Sequence, residues 1–370
     1  MPTADELISP AAAAGLVRCL EVVAPRRELP ALRRAAASLA GVGLRARNDL
    51  LREALLTDLP ASYADFDKTV RSAMDDPEFT GWMIWPVTDA VATRALASDD
   101  PRAFDDALAL LADLTPRLTA EFALRRLLNA DLDRALADIQ GWTAHPDAHV
   151  RRLASEGTRP RLPWAVRVKP LAGRPEATVP ILDALYRDPS DYVRRSVANH
   201  LNDVSHTGPD LAVRVATAWA AAPDANTAKV VRHALRTLVK QGHPGALALL
   251  GFPPPAALTV AGPVLGATAL SVGDELPFEV TLTNDSAAPT RLAVDYVVHY
   301  RKANGGTAPK VFKLTTVTLA PGETVVLARR RSFKAITTRT FHAGEHALEV
   351  QVNGVARGRA AFQLHVPRKA

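Results

Sequence analysis

Glu121, Glu156, Asp203 and Trp164 are the side chains of this 370-residue sequence best suited to do chemistry. Glu156 and Trp164 share one stretch, Leu153-Ala154-Ser155-Glu156-Gly157-Thr158-Arg159-Pro160-Arg161-Leu162-Pro163-Trp164. Gly157 stands where a helix C-terminus favours positive φ, and Pro160 and Pro163 stiffen the exit and fix Trp164. A carboxylate near a helix C-terminus opposes the helix dipole, so Glu156 serves something other than helix stability. It also follows Arg152 by four residues, a spacing at which the two could pair. Glutamate, two arginines and an aromatic ring on proline supports make a preorganised site for a charged ligand. Carboxylates stabilise positive charge as it develops on a substrate, and an indole face attracts a cation.

These residues need elements to hold them together. Up to about residue 250 apolar residues recur at three- and four-residue spacing, as in Ala130–Ile139 and Ala212–Trp219, which reads as amphipathic helices. His145-Pro146-Asp147-Ala148-His149-Val150-Arg151-Arg152 aligns with Asp188-Pro189-Ser190-Asp191-Tyr192-Val193-Arg194-Arg195, and Val231-Arg232 repeats the Val-Arg start. A period near 40 residues with one turn between two helices marks HEAT-like units that stack into a solenoid. Glu121 lies one repeat before Glu156, and Asp203 one repeat after it, so stacking brings all three to one wall. The second helices would line the concave side, their Arg pairs forming a basic strip suited to a phosphate backbone.

Gly251-Phe252-Pro253-Pro254-Pro255 ends the helical pattern, and period-two runs follow, among them Phe278–Thr283, Leu292–Val298 and Ala347–Val352. Turn signals such as Asn353-Gly354 separate about seven strands, as in an antiparallel immunoglobulin-like β-sandwich. The expected architecture is therefore a HEAT-like-repeat α-solenoid over residues 1–250, a Pro-rich linker over 251–255 and an immunoglobulin-like domain over 256–370. Lys+Arg exceed Asp+Glu by six overall, but residues 1–140 are acidic by six and the two following thirds basic by six each. An anionic partner is thus expected along the later repeats and the β-domain. Arg329-Arg330-Arg331-Ser332-Phe333-Lys334 is the basic run of that domain.

Several function classes drop out. No run approaches the roughly 18 apolar residues of a membrane span, and the N-terminus lacks the pattern of a signal peptide, so a cytoplasmic address is expected. The single cysteine, Cys19, excludes an internal disulfide and fits an apolar helix face as a core thiol. His145 with His149, and His342 with His346, are spaced four apart but have no third ligand near in sequence, so no metal is expected. Neither a phosphate-cradling glycine loop nor a serine nucleophile elbow occurs. Trp82, Trp85, Trp142 and Trp219 read as core.

Glu121-Phe122-Ala123-Leu124-Arg125, Val150-Arg151-Arg152 with the Leu153–Trp164 stretch, and Ser196-Val197-Ala198-Asn199-His200-Leu201-Asn202-Asp203 resemble the AlkC branch of the HEAT-like-repeat DNA glycosylases. Gly81-Trp82-Met83-Ile84-Trp85-Pro86 resembles a further stretch of that family, and the likeness spans roughly residues 60–245. Some AlkC members carry an appended immunoglobulin-like domain. The resemblance implies a hydrolase that excises cationic alkylated bases, chiefly 3-methylcytosine and 3-methyladenine, from duplex DNA without flipping them. It implies no cofactor, a monomer, and a bacterial cytoplasmic protein that joins the nucleoid when bound to DNA. Asp203 is assigned to electrostatic stabilisation and water positioning, Glu156 and Glu121 to charge and lesion-side contacts, and Trp164 to the sugar or lesion. Arg152, Arg159, Arg161, Arg195 and Lys169, with Arg330, Arg331 and Lys334 of the β-domain, are the candidate DNA contacts. Lys169 is the only lysine between residues 69 and 228, which favours a monofunctional hydrolase over a lyase needing an amine. The competing reading of the same basic strip is a non-catalytic DNA- or protein-binding scaffold.

Overall fold

Capping residues set where the helices start. Ser9, Ser62, Asp131 and Asp147 each accept a hydrogen bond from a main-chain N–H of the first turn, as helix N-caps do. The structure is a computed structural model and describes residues 3–337 and 339–366. Residues 1–234 form one compact unit and residues 235–370 a second.

The first unit is a two-layer stack of helices. One layer runs through Leu44–Asp58, Ile84–Leu96, Glu121–Ala130, Ala148–Gly157, Asp191–Val204 and Thr227–Ala234, each helix packing on the next. The other runs through Tyr63–Ala73, Ala103–Leu114, Leu132–Gly141, Val179–Leu185 and Pro209–Ala221. This alternation is the HEAT-like solenoid expected from the repeat. Three helices of the first layer follow a turn that an arginine of the helix braces. Arg151 donates to the carbonyls of His145 and Pro146 at 2.9 and 2.8 Å, and Arg194 to those of Asp188 and Pro189 at 2.6 and 2.9 Å. Arg47 makes the equivalent bond to Val42 at 2.8 Å. The first arginine of each repeated pair thus satisfies turn carbonyls that water would otherwise reach. Among the described residues no helix is long and apolar enough to cross a membrane.

The second unit is an immunoglobulin-like sandwich with a helical preface. Its strands are β1 (Leu258–Leu265), β2 (Ala269–Ser271), β3 (Glu275–Asn284), β4 (Thr290–Arg301), β5 (Thr307–Leu319), β6 (Thr324–Ser332), β7 (Gly344–Val352) and β8 (Val355–His365). They form one sheet ordered β1-β3-β6 and another ordered β2-β8-β7-β4-β5. The pairing is antiparallel except β2 with β8, which is parallel. Alternate residues such as Phe278, Val280, Leu282, Val294, Tyr296 and Leu348 fill the core between them. The Asn353-Gly354 turn between β7 and β8 has positive φ at both residues, 48° and 78°, as a two-residue hairpin requires. The short helices Arg236–Lys240 and Pro244–Leu249 belong to this unit. A Cβ on Gly354 would collide with Gly242, so the hairpin tip lies directly on the turn between them. The Pro-rich stretch 251–255 also lies inside the unit. Asn353 Nδ2 donates to the Pro253 carbonyl at 2.6 Å, and Arg291 covers the Phe252 ring 4.5 Å from its centroid.

Candidate active site

Three successive helices of the first layer carry the three carboxylates. Glu121 opens Glu121–Ala130, Glu156 lies one residue from the end of Ala148–Gly157, and Asp203 lies one residue from the end of Asp191–Val204. All three are buried. Two guanidinium groups lace them into one chain. Arg152 donates to Glu121 Oε2 at 2.5 Å and lies 3.4 Å from Glu156 Oε1. Arg159 donates to Glu156 Oε1 at 2.6 Å and to Asp203 Oδ2 at 2.8 Å. Ser196 completes Glu156 with a bond to Oε2 at 2.7 Å, and Thr119 adds one to Glu121 Oε2 at 3.0 Å. Among the described residues both hydrogen bonds to Glu121 therefore fall on Oε2 and none on Oε1. The i,i+4 pairing of Arg152 with Glu156 is present, but within this larger network.

The three carboxylates differ in proton affinity. Burial raises Glu121 above the usual carboxylate range by more than Arg152 lowers it. Burial likewise raises Asp203 against the opposing effect of Arg159. At Glu156 burial is outweighed by Arg152, Arg159 and the Ser196 hydroxyl, and its affinity falls below that range. Environments that push neighbouring carboxyl groups apart are how sites assign different roles to similar groups.

Beneath this network sit two residues that the sequence did not single out. His200 is fully buried, its Nδ1 2.8 Å from the Ser155 carbonyl and its Nε2 3.0 Å from Thr178 Oγ1. Burial pushes it down to about 4, so the ring is neutral and fixes the turn next to Glu156. Arg125 is also fully buried, and among the described residues no carboxylate forms an ion pair with it. It donates to the carbonyls of Gly157 and Arg159 at 3.1 and 2.7 Å and to that of Val166, which ties the segment after Arg159 onto the Glu121–Ala130 helix. Burial, followed by repulsion from Arg159, brings its guanidinium down to about 10. Its place four residues after Glu121 was the only signal in the sequence.

Trp164 stands apart from the carboxylates. It is 56% exposed, has φ of 63°, and its carbonyl accepts a hydrogen bond from Arg45. With Arg45, Trp85, Asp89, Phe122 and Arg126 it lines a cleft of about 90 Å³ to which none of the three carboxylates contributes. The positive φ expected at Gly157 thus occurs at Trp164 instead. Gly157 is helical, and a Cβ there would stand 2.5 Å from Leu124 Cδ2, so glycine is needed for close packing.

Two known proteins resemble this chain over most of its length. The uncharacterized protein YhaZ of Bacillus subtilis (strain 168) is 35% identical over 310 residues, 84% of each chain. A solved structure, Pseudomonas fluorescens alkylpurine DNA glycosylase AlkC bound to DNA containing an abasic site analog, matches with a TM-score of 0.80 at 33% identity. That match covers 98% of this chain and 100% of that one. This chain belongs to the AlkC branch of the HEAT-like-repeat alkyl-DNA glycosylases, in the form with an added immunoglobulin-like domain. Residues 259–366 match the family described as "Uncharacterised protein YhaZ, C-terminal Ig-like domain".

In this AlkC-branch chain the candidate DNA contacts divide by exposure. Arg161, Lys169 and Arg195 are exposed in the solenoid, as are Arg330 and Lys334 on the β-domain. Arg195 pairs only loosely with Asp191, at 3.3 Å. Arg152 and Arg159, expected to hold phosphate, are instead turned onto the carboxylates, because buried carboxylates need a guanidinium partner. Arg331 points back over the Phe312 ring, 4.0 Å from its centroid, and donates to the Tyr300 hydroxyl at 3.1 Å. That follows from strand alternation, which sends Arg330 outward and Arg331 toward the sandwich. Trp85 and Trp219 are core, whereas Trp82 and Trp142 are half-buried. His346 is buried and bonded to the His342 carbonyl, and Cys19 is buried, its thiol pushed up to about 11 by burial.

Proposed function

We propose that this protein is a DNA glycosylase that hydrolyses the N-glycosidic bond of cationic alkylated bases, 3-methylcytosine and 3-methyladenine, in duplex DNA. The observation that carries this reading is the chain Glu121–Arg152–Glu156–Arg159–Asp203 on one wall of the solenoid. An N3-methylated base is already positively charged and leaves without being protonated. What remains is to stabilise the oxocarbenium-like sugar and to place a water. Carboxylate oxygens fixed before the reaction do both without reorganising, which is where most electrostatic catalysis comes from. Asp203 carries the electrostatic and water-positioning role, and Glu121 offers Oε1 on the lesion side. Glu156, fully paired, holds the two arginines in place and supplies charge. Trp164 is the exposed aromatic contact to the nucleotide.

As the resemblance to this branch implies, the enzyme acts on a nucleotide that is not flipped into a deep pocket. Phosphate contacts fall to the exposed Arg161, Lys169 and Arg195, with Arg330 and Lys334 as a second contact. The deciding experiment is release of free base from DNA carrying 3-methylcytosine, 3-methyladenine or 7-methylguanine. Release of the first two is expected, and Asp203→Asn should slow it by about a hundredfold or more. Borohydride should trap no enzyme–DNA crosslink, since the exposed Lys169 is the sole lysine of that stretch. DNA binding with no base release from any of the three would leave the scaffold reading standing.

A further inference from the structure

The cleft beside Trp164 has walls and a floor that suit a ligand other than the methylated base. Trp85 and Phe122 form one wall, their ring centroids 4.7 Å apart at 31°, and Trp164 projects beside them. A tryptophan at φ 63° is an uncommon backbone state for so bulky a residue. It is held by Arg45 at its own carbonyl and by Arg125 at the carbonyl of Val166. Such strain is kept where the surrounding structure imposes it, and it is concentrated at ligand clamps. The polar edge is Asp89, 6% exposed, which accepts from Asn48 Nδ2 at 2.6 Å on Oδ2 and from Arg126 Nε at 3.2 Å on Oδ1. Among the described residues, Trp85 Nε1, a donor in the cleft wall, has no hydrogen-bond partner, and neither has Oδ1 of Asn48, which bonds Asp89 but does not itself line the cleft. Buried groups are rarely left so unless something else completes them.

Aromatic walls with a carboxylate and a guanidinium at the edge recognise a flat heteroaromatic ring with both N–H and carbonyl or ring-nitrogen positions. About 90 Å³ is room for one ring system, well below the space a whole nucleotide or a drug-sized ligand occupies. The charge decides which ring. Asp89 is already matched by Arg126, and Arg45 adds a further positive charge, so a cationic methylated base is disfavoured here. A phosphate would meet three aromatic rings and a carboxylate. We propose that this cleft receives an uncharged nucleobase of the damaged duplex, unstacked when the lesion engages the carboxylates. The proposal rests on the glycosylase reading and adds a second base-binding site to it. The base opposite the lesion and the neighbours of the lesion in its own strand share this chemistry.

The test uses the full chain at saturation on a duplex containing a tetrahydrofuran abasic analogue, with 2-aminopurine placed opposite it, 5′ to it or 3′ to it. Stacking against tryptophan quenches 2-aminopurine. One of the three positions should be at least twofold dimmer in the wild-type complex than in the Trp164→Ala complex, and that position names the base. Trp164 is exposed, so the variant should fold, which circular dichroism checks; any affinity it loses as a nucleotide contact is measured by anisotropy and offset by raising its concentration until the duplex is saturated. Asp89→Asn, which keeps the shape but removes the charge, should weaken the quenching at the same position. If all three positions are equally bright in wild type and Trp164→Ala while the wild type binds this duplex and releases 3-methylcytosine, the cleft proposal is overturned and the glycosylase reading stands. If the wild type neither binds nor releases, both are overturned.

Discussion

Glu121 and Asp203 are carboxyl groups that burial makes harder to ionise, whereas Glu156 between them is easier to ionise. If both must be negative to stabilise an oxocarbenium ion, activity must fall on the acid side as they take up protons. The acid limb of kcat against pH for base release is therefore expected above the ordinary carboxylate range, rising with pH. Glu121→Gln should alter that limb as well as lower the rate; a pH-independent kcat between pH 4 and 7 would argue against ionised carboxylates in the mechanism. His200 gives a stability prediction of its own. Its folded value of about 4 lies below the 6.5 of an unperturbed imidazole, so between those values the unfolded chain binds the proton more readily. The stabilisation is complete above about pH 6.5 and is lost as pH falls toward 4, an effect bounded at about 3 kcal/mol for this one group. His200→Gln should be less stable at pH 7 but should lose less melting temperature than wild type between pH 7 and pH 5.

Where a repeat helix carries the adjacent pair, as in Arg151-Arg152 and Arg194-Arg195, its two arginines do different work. In the pair Arg194-Arg195 the first is buried on the carbonyls of its own turn, and the second is exposed. Arg194→Met should leave those carbonyls unpaired and cost about 2 kcal/mol in denaturant unfolding. Arg195→Ala should leave stability unchanged and reduce the slope of log affinity against log salt by about one. Equal effects of the two would contradict this division. The sequence showed that the arginines repeat but not which way each points, because the choice depends on carbonyls brought close only by the folded turn. Likewise, the spacing of Glu121, Glu156 and Asp203 was enough to predict one shared wall. The bridging by Arg152 and Arg159 was not legible, since it depends on side chains from adjacent helices meeting. Gly157 was misread for the same reason: its missing side chain answers to Leu124, 33 residues away, and not to the local helix end.

At the scale of the molecule, the two architectures were legible because they rest on periodicity: three to four residues in one half and two in the other. The division between them was less so. Three consecutive prolines look like a spacer, yet Phe252 and Pro253 are fastened to the sandwich by Arg291 and Asn353. The compact units part at Ala234 and Leu235 instead. Fragments 1–234 and 235–370 should each melt cooperatively, and 256–370 should be less stable than 235–370 by thermal or urea unfolding. Equal stability of the last two would make the helical preface an ornament. The contact of Gly242 with Gly354 also bears on how this module can be exchanged between proteins. Two facing glycines, one on a helical turn and one at a hairpin tip, form a junction in which neither can gain a side chain unless the backbones separate. A β-domain transplanted from a relative at its first strand would arrive without the surface its hairpin was shaped to meet, so functional chimaeras should join ahead of the helices and keep both glycines from the same parent.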